Sequence, residues 1–171
     1  MGKTDGCGMI FEFRYRANLR IGGKEWTNRR IEAWRGQEKL GHLTLAFIPR
    51  ATFDALFPTV EDYARRIKGI QNPTLDDVEA FYSDYRRFEY FHVETAHVAY
   101  VTVEKEHQHQ GIATQLYLGA ARWIGQTERL LLAASTLQRP EVKPLWKKLV
   151  ADPDASTVQL DDGRWALDGR P

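Results

Sequence analysis

Residues 97–124 hold a strand-forming run, a polar turn with a single glycine and a helical run in direct succession, and this arrangement restricts the fold more than any other feature. The run HVAYVTV (97–103) has the β-branched and aromatic composition of a strand. It leads into the polar EKEHQHQG (104–111), and from 112 to 124 Leu116, Ala120 and Trp123 fall on one side of a helix whose expected stop is Gly125. The next run, RLLLAA (129–134), is almost wholly apolar, as a strand covered on both faces must be. Strands alternating with a helix that packs back on them point to an α/β domain.

The N-terminal third carries a different period. Residues 9–19 alternate, with Ile10, Glu12, Arg14 and Arg16 against Phe11, Phe13, Tyr15 and Ala17, which is the pattern of a half-buried strand. Gly22 and Gly23 break it, and strand-like runs at 29–34 and 39–47 follow, joined by Arg35 to Glu38 as a hairpin connection. An antiparallel meander is expected here. Beyond Pro49, apolar residues at helical spacing predict helices over 51–67 (Phe53, Leu56, Phe57) and 74–88 (Val78, Phe81, Tyr82, Tyr85), the second capped by Thr74 with Asp77 three residues on. A short helix over 140–150 and two strands, 156–160 and 164–167, flanking Asp161-Asp162-Gly163 complete the order β-β-β-α-α-β-α-β-α-β-β. With 171 residues, the chain is expected to form a single mixed α/β domain over 9–171 behind a flexible lead-in, 1–8.

Charge and cysteine content narrow the function. Lys and Arg number 24 against 23 Asp and Glu, so bulk charge announces neither nucleic acid nor a membrane surface. Cys7 is the only cysteine, which rules out an internal disulfide and a cysteine-based metal site and suits a reducing compartment. No run approaches the roughly 20 apolar residues of a membrane span, and the first residues lack a signal-like apolar core, so a soluble, cytoplasmic protein is expected. The charge is uneven, however. Residues 10–50 hold nine Lys or Arg against four Asp or Glu, a basic meander that could lie on nucleic acid, whereas residues 51–100 hold five against nine and could attract a cationic amine. Solvated outer faces explain the same imbalance. Nothing in the sequence fixes the oligomeric state.

The segment with chemistry is the corner between strand and helix. A helix start leaves backbone N–H groups unpaired and carries partial positive charge, so it holds phosphate without needing lysines. Gly111 lets a ligand come close, Ala113 keeps the first turn small and Thr114 offers a hydroxyl. The corner matches neither GxxxxGK[ST] nor GxGxxG, which argues against ATP-type and NAD-type sites. As a pattern it also describes a purely structural turn. His107 and His109 alternate without a third ligand nearby, a poor metal set, and no metal is assigned.

Gln108-His109-Gln110-Gly111-Ile112-Ala113 matches Q/R-x-x-G-x-G/A, and with Val101-Thr102-Val103 before it and Leu116 after it the segment resembles the acetyl-CoA-binding motif of the GCN5-related N-acetyltransferase (GNAT) family. The resemblance covers residues 98 to about 150 in the family's order of strand, helix, strand, helix. It implies a mixed sheet whose central strands splay apart, with acetyl-CoA as co-substrate in the V between them. The pantetheine arm would pair with the backbone of Val101 and Val103, and the pyrophosphate would sit on amides of Gln108, His109, Gln110, Gly111, Ile112, Ala113 and Thr114. The reaction implied is direct transfer of acetyl to a primary amine. Here the helices follow the third strand, whereas the family usually places them after the first.

Direct attack needs a neutral amine, hence a base or a water chain to take its proton. Arylalkylamine acetyltransferases, a branch of the family, carry a histidine at an offset before the motif that matches His97, and a reference pKa of about 6.5 suits it to the task. A half-buried, hydrogen-bonded strand histidine is the structural alternative. In a regular strand residues 97, 99, 101 and 103 share one face and 98, 100, 102 and 104 the other, which turns Glu104 away together with Glu94; a bulge would reverse this and bring Glu104 back as a base. The family's acid is a tyrosine in a segment like LYEKLGF. Here that segment reads Leu145-Trp146-Lys147-Lys148-Leu149-Val150, and an indole cannot serve. Ser135 or solvent could supply the proton, and the acid stays unassigned. Of the aromatic residues Phe81, Tyr82, Tyr85, Phe88, Tyr90 and Phe91, most are expected in the core and part in the wall of an acceptor pocket. The second class of reading is a module without catalysis that binds acyl-CoA, nucleic acid or protein on the same fold.

Overall fold

The computed structural model describes residues 3–4, 10–19, 27–135, 138 and 140–171. The alternating N-terminal runs form the antiparallel strands β2 (Ile10–Leu19), β3 (Thr27–Arg35) and β4 (Glu38–Phe47), preceded by the two-residue β1 (Lys3–Thr4), which pairs with Ile10 and Phe11. The rest of the expected lead-in, with Cys7, lies outside the described residues, as do Gly22 and Gly23. The sheet continues through β5 (Thr95–Val103), β6 (Leu131–Ala133), β7 (Thr157–Gln159) and β8 (Trp165–Leu167) in the order β1-β2-β3-β4-β5-β6-β8-β7. Among the described strands only β5 and β6 run parallel, so the fold is mixed α/β.

The helices stand where the sequence places them, after the third long strand, but they are three. Residues 51–67 do not form one helix: α1 (Arg50–Leu56) stops before Pro58 and α2 (Val60–Arg66) starts after it. Proline has no N–H to continue the ladder and disfavours helical backbone at the residue before it. Thr59 then caps the new helix by accepting from the Asp62 amide at 3.2 Å. α3 (Leu75–Glu89) begins with the Thr74–Asp77 capping box, both halves of which are made. A π-helical turn, Tyr90–Glu94, leads from α3 straight into β5. These helices pack mainly on one another, around Ile48, Phe53, Phe57, Tyr63 and Val93 with Phe81, Tyr85 and Phe88 against them.

The main core lies on the other face of the sheet. There α4 (Ile112–Glu128) and α5 (Lys143–Ala151) cover Ile31, Leu43, Leu45, Leu132 and Leu167 with Leu116, Ala120, Ile124 and Leu149. Four arginines of the meander are paired within the protein: Arg14 with Glu12, Arg16 with Glu32, Arg35 with Glu38, and Arg29 with Glu128 under the last turn of α4. Among the described residues no helix is long and apolar enough to cross a membrane.

Gly125 does not stop α4, which runs on to Glu128 and ends at Arg129 in the left-handed region. The glycine is required by packing instead. A Cβ on it would lie 2.5 Å from the Gly169 carbonyl carbon and 2.6 Å from the Arg170 nitrogen, so the C-terminal segment passes directly over the helix backbone. Gly125→Ala should therefore cost about 1–3 kcal/mol by forcing backbone movement. The exposed neighbour Gln126→Ala should stay within about 0.5 kcal/mol, and urea denaturation of the two variants makes the comparison.

Candidate functional site

A β-bulge sets the geometry of the site. β5 pairs with β4 as Ala46↔His97 and Leu45↔Val98, then as Thr44↔Tyr100, Leu43↔Val101, His42↔Thr102 and Gly41↔Val103, so Ala99 is the extra residue. The regular alternation expected for this strand is thus broken. Val98, Val101 and Val103 face the main core with Leu43 and Leu45, and His97, Tyr100 and Thr102 share the opposite face. The bulge brings Glu104 toward the face of His97, as the sequence argument anticipated, but not near it. Seven residues of extended chain separate the two by roughly 20 Å. Glu104 is exposed, and its amide is bound to the Leu40 carbonyl at 2.9 Å. Glu94 is tied to Arg50.

The parallel pairing ends where the bulge begins. β6 accompanies β5 only through Thr95↔Leu131, Ala96↔Leu132 and His97↔Ala133, and β5 then continues for six residues to Val103 with its edge facing a cleft of about 660 Å³. Val101 and Ala113 of the expected cofactor residues line this cleft, together with Tyr117 from α4 and Ser135, Leu145 and Trp146 beyond β6. Trp146 is buried, and its indole meets the Tyr117 ring edge-on at 5.8 Å. It is a wall, consistent with an indole's inability to donate a proton to a leaving group. Burial pushes the Tyr117 phenol up to about 12. Sequence reasoning missed Tyr117, although its spacing of four from Ala113 places both on one helical face.

At the outer end of the cleft the polar loop closes on itself. A 3₁₀ turn, Lys105–His107, leads to Gln108, whose side chain donates to the Val103 carbonyl at 3.2 Å, and Gln110 donates to the Glu106 carbonyl at 3.2 Å. His107 and His109 diverge. His107 is buried with Nε2 2.8 Å from Glu38 Oε1, which fastens the loop to the β3–β4 hairpin, while His109 is exposed with φ 62°. Gly111 caps α4 in the left-handed region at φ 79°, and no side chain caps the helix. A Cβ there would meet no atom of the described residues within 4 Å, so the conformation, not crowding, demands glycine. Ile112 and Thr114 are buried; the threonine hydroxyl is therefore less accessible than expected, and first-turn amides are the groups available.

His97 lies on the other side of the sheet, beside a second cavity of about 670 Å³ lined by Arg87, Tyr90, Phe91, His92, Asp161 and Arg164 among others. Its ring is 4.7 Å from Phe91 and 5.7 Å from His92, and Nδ1 is buried without a hydrogen-bond partner among the described residues. The structural alternative of a hydrogen-bonded strand histidine is not met at that nitrogen. Arg164 stacks over Phe91, binds Asp162 at 2.7 Å and donates to the Ala134 carbonyl at 3.2 Å, which fixes the β7–β8 turn against the cavity. The aromatic residues divide accordingly: Phe81 and Tyr85 pack between helices, Phe88 does so and also lines the cavity, Tyr90 and Phe91 form cavity wall, and Tyr82 is exposed.

No family model and no curated protein matches the chain. Among solved structures it is similar to an acetyltransferase from Thermus thermophilus, with 13% identity and a TM-score of 0.37. The alignment covers 82% of this chain, which spans 61% of the length of that one.

Burial lowers His97 to about 4, helped by Arg164, and burial beside His97 lowers His92 to about 3. Both are neutral at physiological pH. An unfolded histidine takes up its proton near about 6.5, so as pH falls the unfolded chain binds protons before the native one does. Their contribution to stability is complete above that value and is lost as pH falls through the native values. The double variant His92→Phe/His97→Phe should therefore lose less stability than the parent between pH about 7 and about 4.5, as measured by urea denaturation midpoints.

Proposed function

We propose that this chain is an acetyl-CoA-dependent N-acetyltransferase of the GNAT type that acylates a primary amine. The observation that carries the reading is the parting of β5 from β6 at His97 and Ala133, which opens a strand edge onto a cleft that ends at the uncapped start of α4. A strand edge takes an amide-containing arm as an added strand, and an uncapped helix start takes phosphate. These groups suit the two halves of coenzyme A, which supplies an activated acetyl thioester. Backbone of Val101 and Val103 would hold the arm. Amides from Gln108 through Thr114 would hold the diphosphate, and Gly111 keeps that approach open.

The acceptor would enter from the aromatic cavity on the opposite side of the sheet. His97 stands behind Phe91 and His92 of that cavity's wall, at the row where the two strands part, and its neutral imidazole can accept a proton. It would take the proton of the incoming ammonium through water, and the free amine would attack the thioester carbon directly. Glu104, far down the strand, is not the base in this reading.

Thiol release from acetyl-CoA over a panel of primary amines tests the proposal. Turnover is expected, with His97→Ala lowering it about 100-fold while coenzyme A affinity holds. Tight binding without turnover across the panel would make the chain an acyl-CoA-binding module. Gly111→Val should weaken coenzyme A binding at least tenfold by calorimetry, at a folding cost of about 1–2 kcal/mol for a side chain in the left-handed region. Unchanged affinity would remove the diphosphate from this corner.

A further inference from the structure

The cavity on the His97 side of the sheet carries a charge pattern that a bare cationic amine does not fit. Of the charged groups lining it, Arg86, Arg87 and Arg164 outnumber Asp161 and Asp162, and His92 is neutral. Arg164 is the guanidinium drawn into the wall. Its side chain is 10% exposed against 44% for its partner Asp162, so the cation has lost more water than the carboxylate beside it. A guanidinium presents five N–H groups in a planar fork. Nε donates to Asp162 and Nη1 to the Ala134 carbonyl, while Nη2 donates to no described residue. A half-satisfied cation at the wall of a cavity favours an anion there.

The guanidinium also stands close to His97. Its Cζ lies 4.8 Å from the centre of the Phe91 ring, and that ring is 4.7 Å from the imidazole. An ammonium arriving at His97 would meet the same positive charge. A carboxylate on the carbon that bears the amine supplies the compensating charge at that place. The rest of the wall is aromatic, from Phe88, Tyr90 and Phe91, and about 670 Å³ leaves room for a bulky apolar body.

We propose that this cavity takes an α-amino acid with a large apolar side chain, its carboxylate on Arg164, its side chain against Phe88, Tyr90 and Phe91, and its amino group turned toward His97. What then happens to the amino group rests on the acetyltransferase reading, within which the acceptor narrows from a primary amine to an amine that carries its own carboxylate. The binding itself does not require catalysis.

Three ligands with the same ring separate the contributions: L-phenylalanine, 3-phenylpropionate, which lacks the amino group, and 2-phenylethylamine, which lacks the carboxylate. Titrated into the protein by calorimetry, the two carboxylates should bind at least about tenfold tighter than the amine. Arg164→Gln should abolish that preference and leave 2-phenylethylamine bound as before or more tightly. Equal affinity of the parent for all three, or a preference that survives Arg164→Gln, overturns the proposal. Arg164 also holds the β7–β8 turn, so a second variant guards against loss of folding: Phe91→Leu should weaken L-phenylalanine, and unchanged affinity would remove the ligand from this cavity. In the amine assay L-phenylalanine should exceed 2-phenylethylamine at least about tenfold in kcat/KM. Equal acetylation of the two keeps the acetyltransferase reading and overturns the amino-acid assignment. If coenzyme A does not bind or no amine is acetylated, that reading falls, while the calorimetric comparison still decides what the cavity holds.

Discussion

The structure depends on one extra residue. Ala99 interrupts the β4–β5 ladder, and the strand that had been paired on both edges becomes an edge itself within one residue of that point. A bulge raises local twist and bends the strand that carries it, so it supplies the bend by which β5 and β6 come apart. It also decides what each side chain faces. Without it, Val101 and Val103 would stand on the side of His97 and the main core would lose two of the apolar groups beneath α4. With it, three valines seal the core while the backbone edge beside them stays open to the cleft.

Much of this was legible in the sequence, and the failures have identifiable causes. The alternating meander, the strand, turn and helix of 97–124 and the C-terminal hairpin follow directly from periods of two and of about 3.6 residues. The periodicity of 51–67 concealed a helix break because apolar residues on either side of Pro58 keep helical spacing while the backbone cannot. Gly125 reads as a terminator locally and proves to be a contact, since what it meets is a segment more than forty residues later. Strand parity failed at Ala99 because a bulge depends on how two strands pair, not on the composition of either.

The site was legible to a similar degree. The loop and its glycine were found because their requirement is local: a left-handed φ and a free helix start. The excess of arginine in the meander suggested a polyanionic partner; Arg14, Arg16 and Arg35 pair with glutamates of the meander itself, and Arg29 pairs with Glu128 of α4. Tyr117 and the cavity beside His97 escaped notice because they exist only once α4 lies along β5 and the β7–β8 turn meets the π-helical segment. The spacing of Tyr117 from Ala113 puts both on one helical face, but no spacing within one element shows what that face will meet.

The π-helical turn has a consequence for how proteins of this shape diversify. Tyr90, Phe91 and His92 wall the second cavity, and three residues later the same backbone is already β5, with no spacer to absorb a change of length. A residue gained or lost in this turn would push β5 to slip by one against β4, and such a slip would rotate His97 to the opposite face. The shape and chemistry of this cavity can therefore change by exchanging side chains along its wall, but scarcely by lengthening or shortening it.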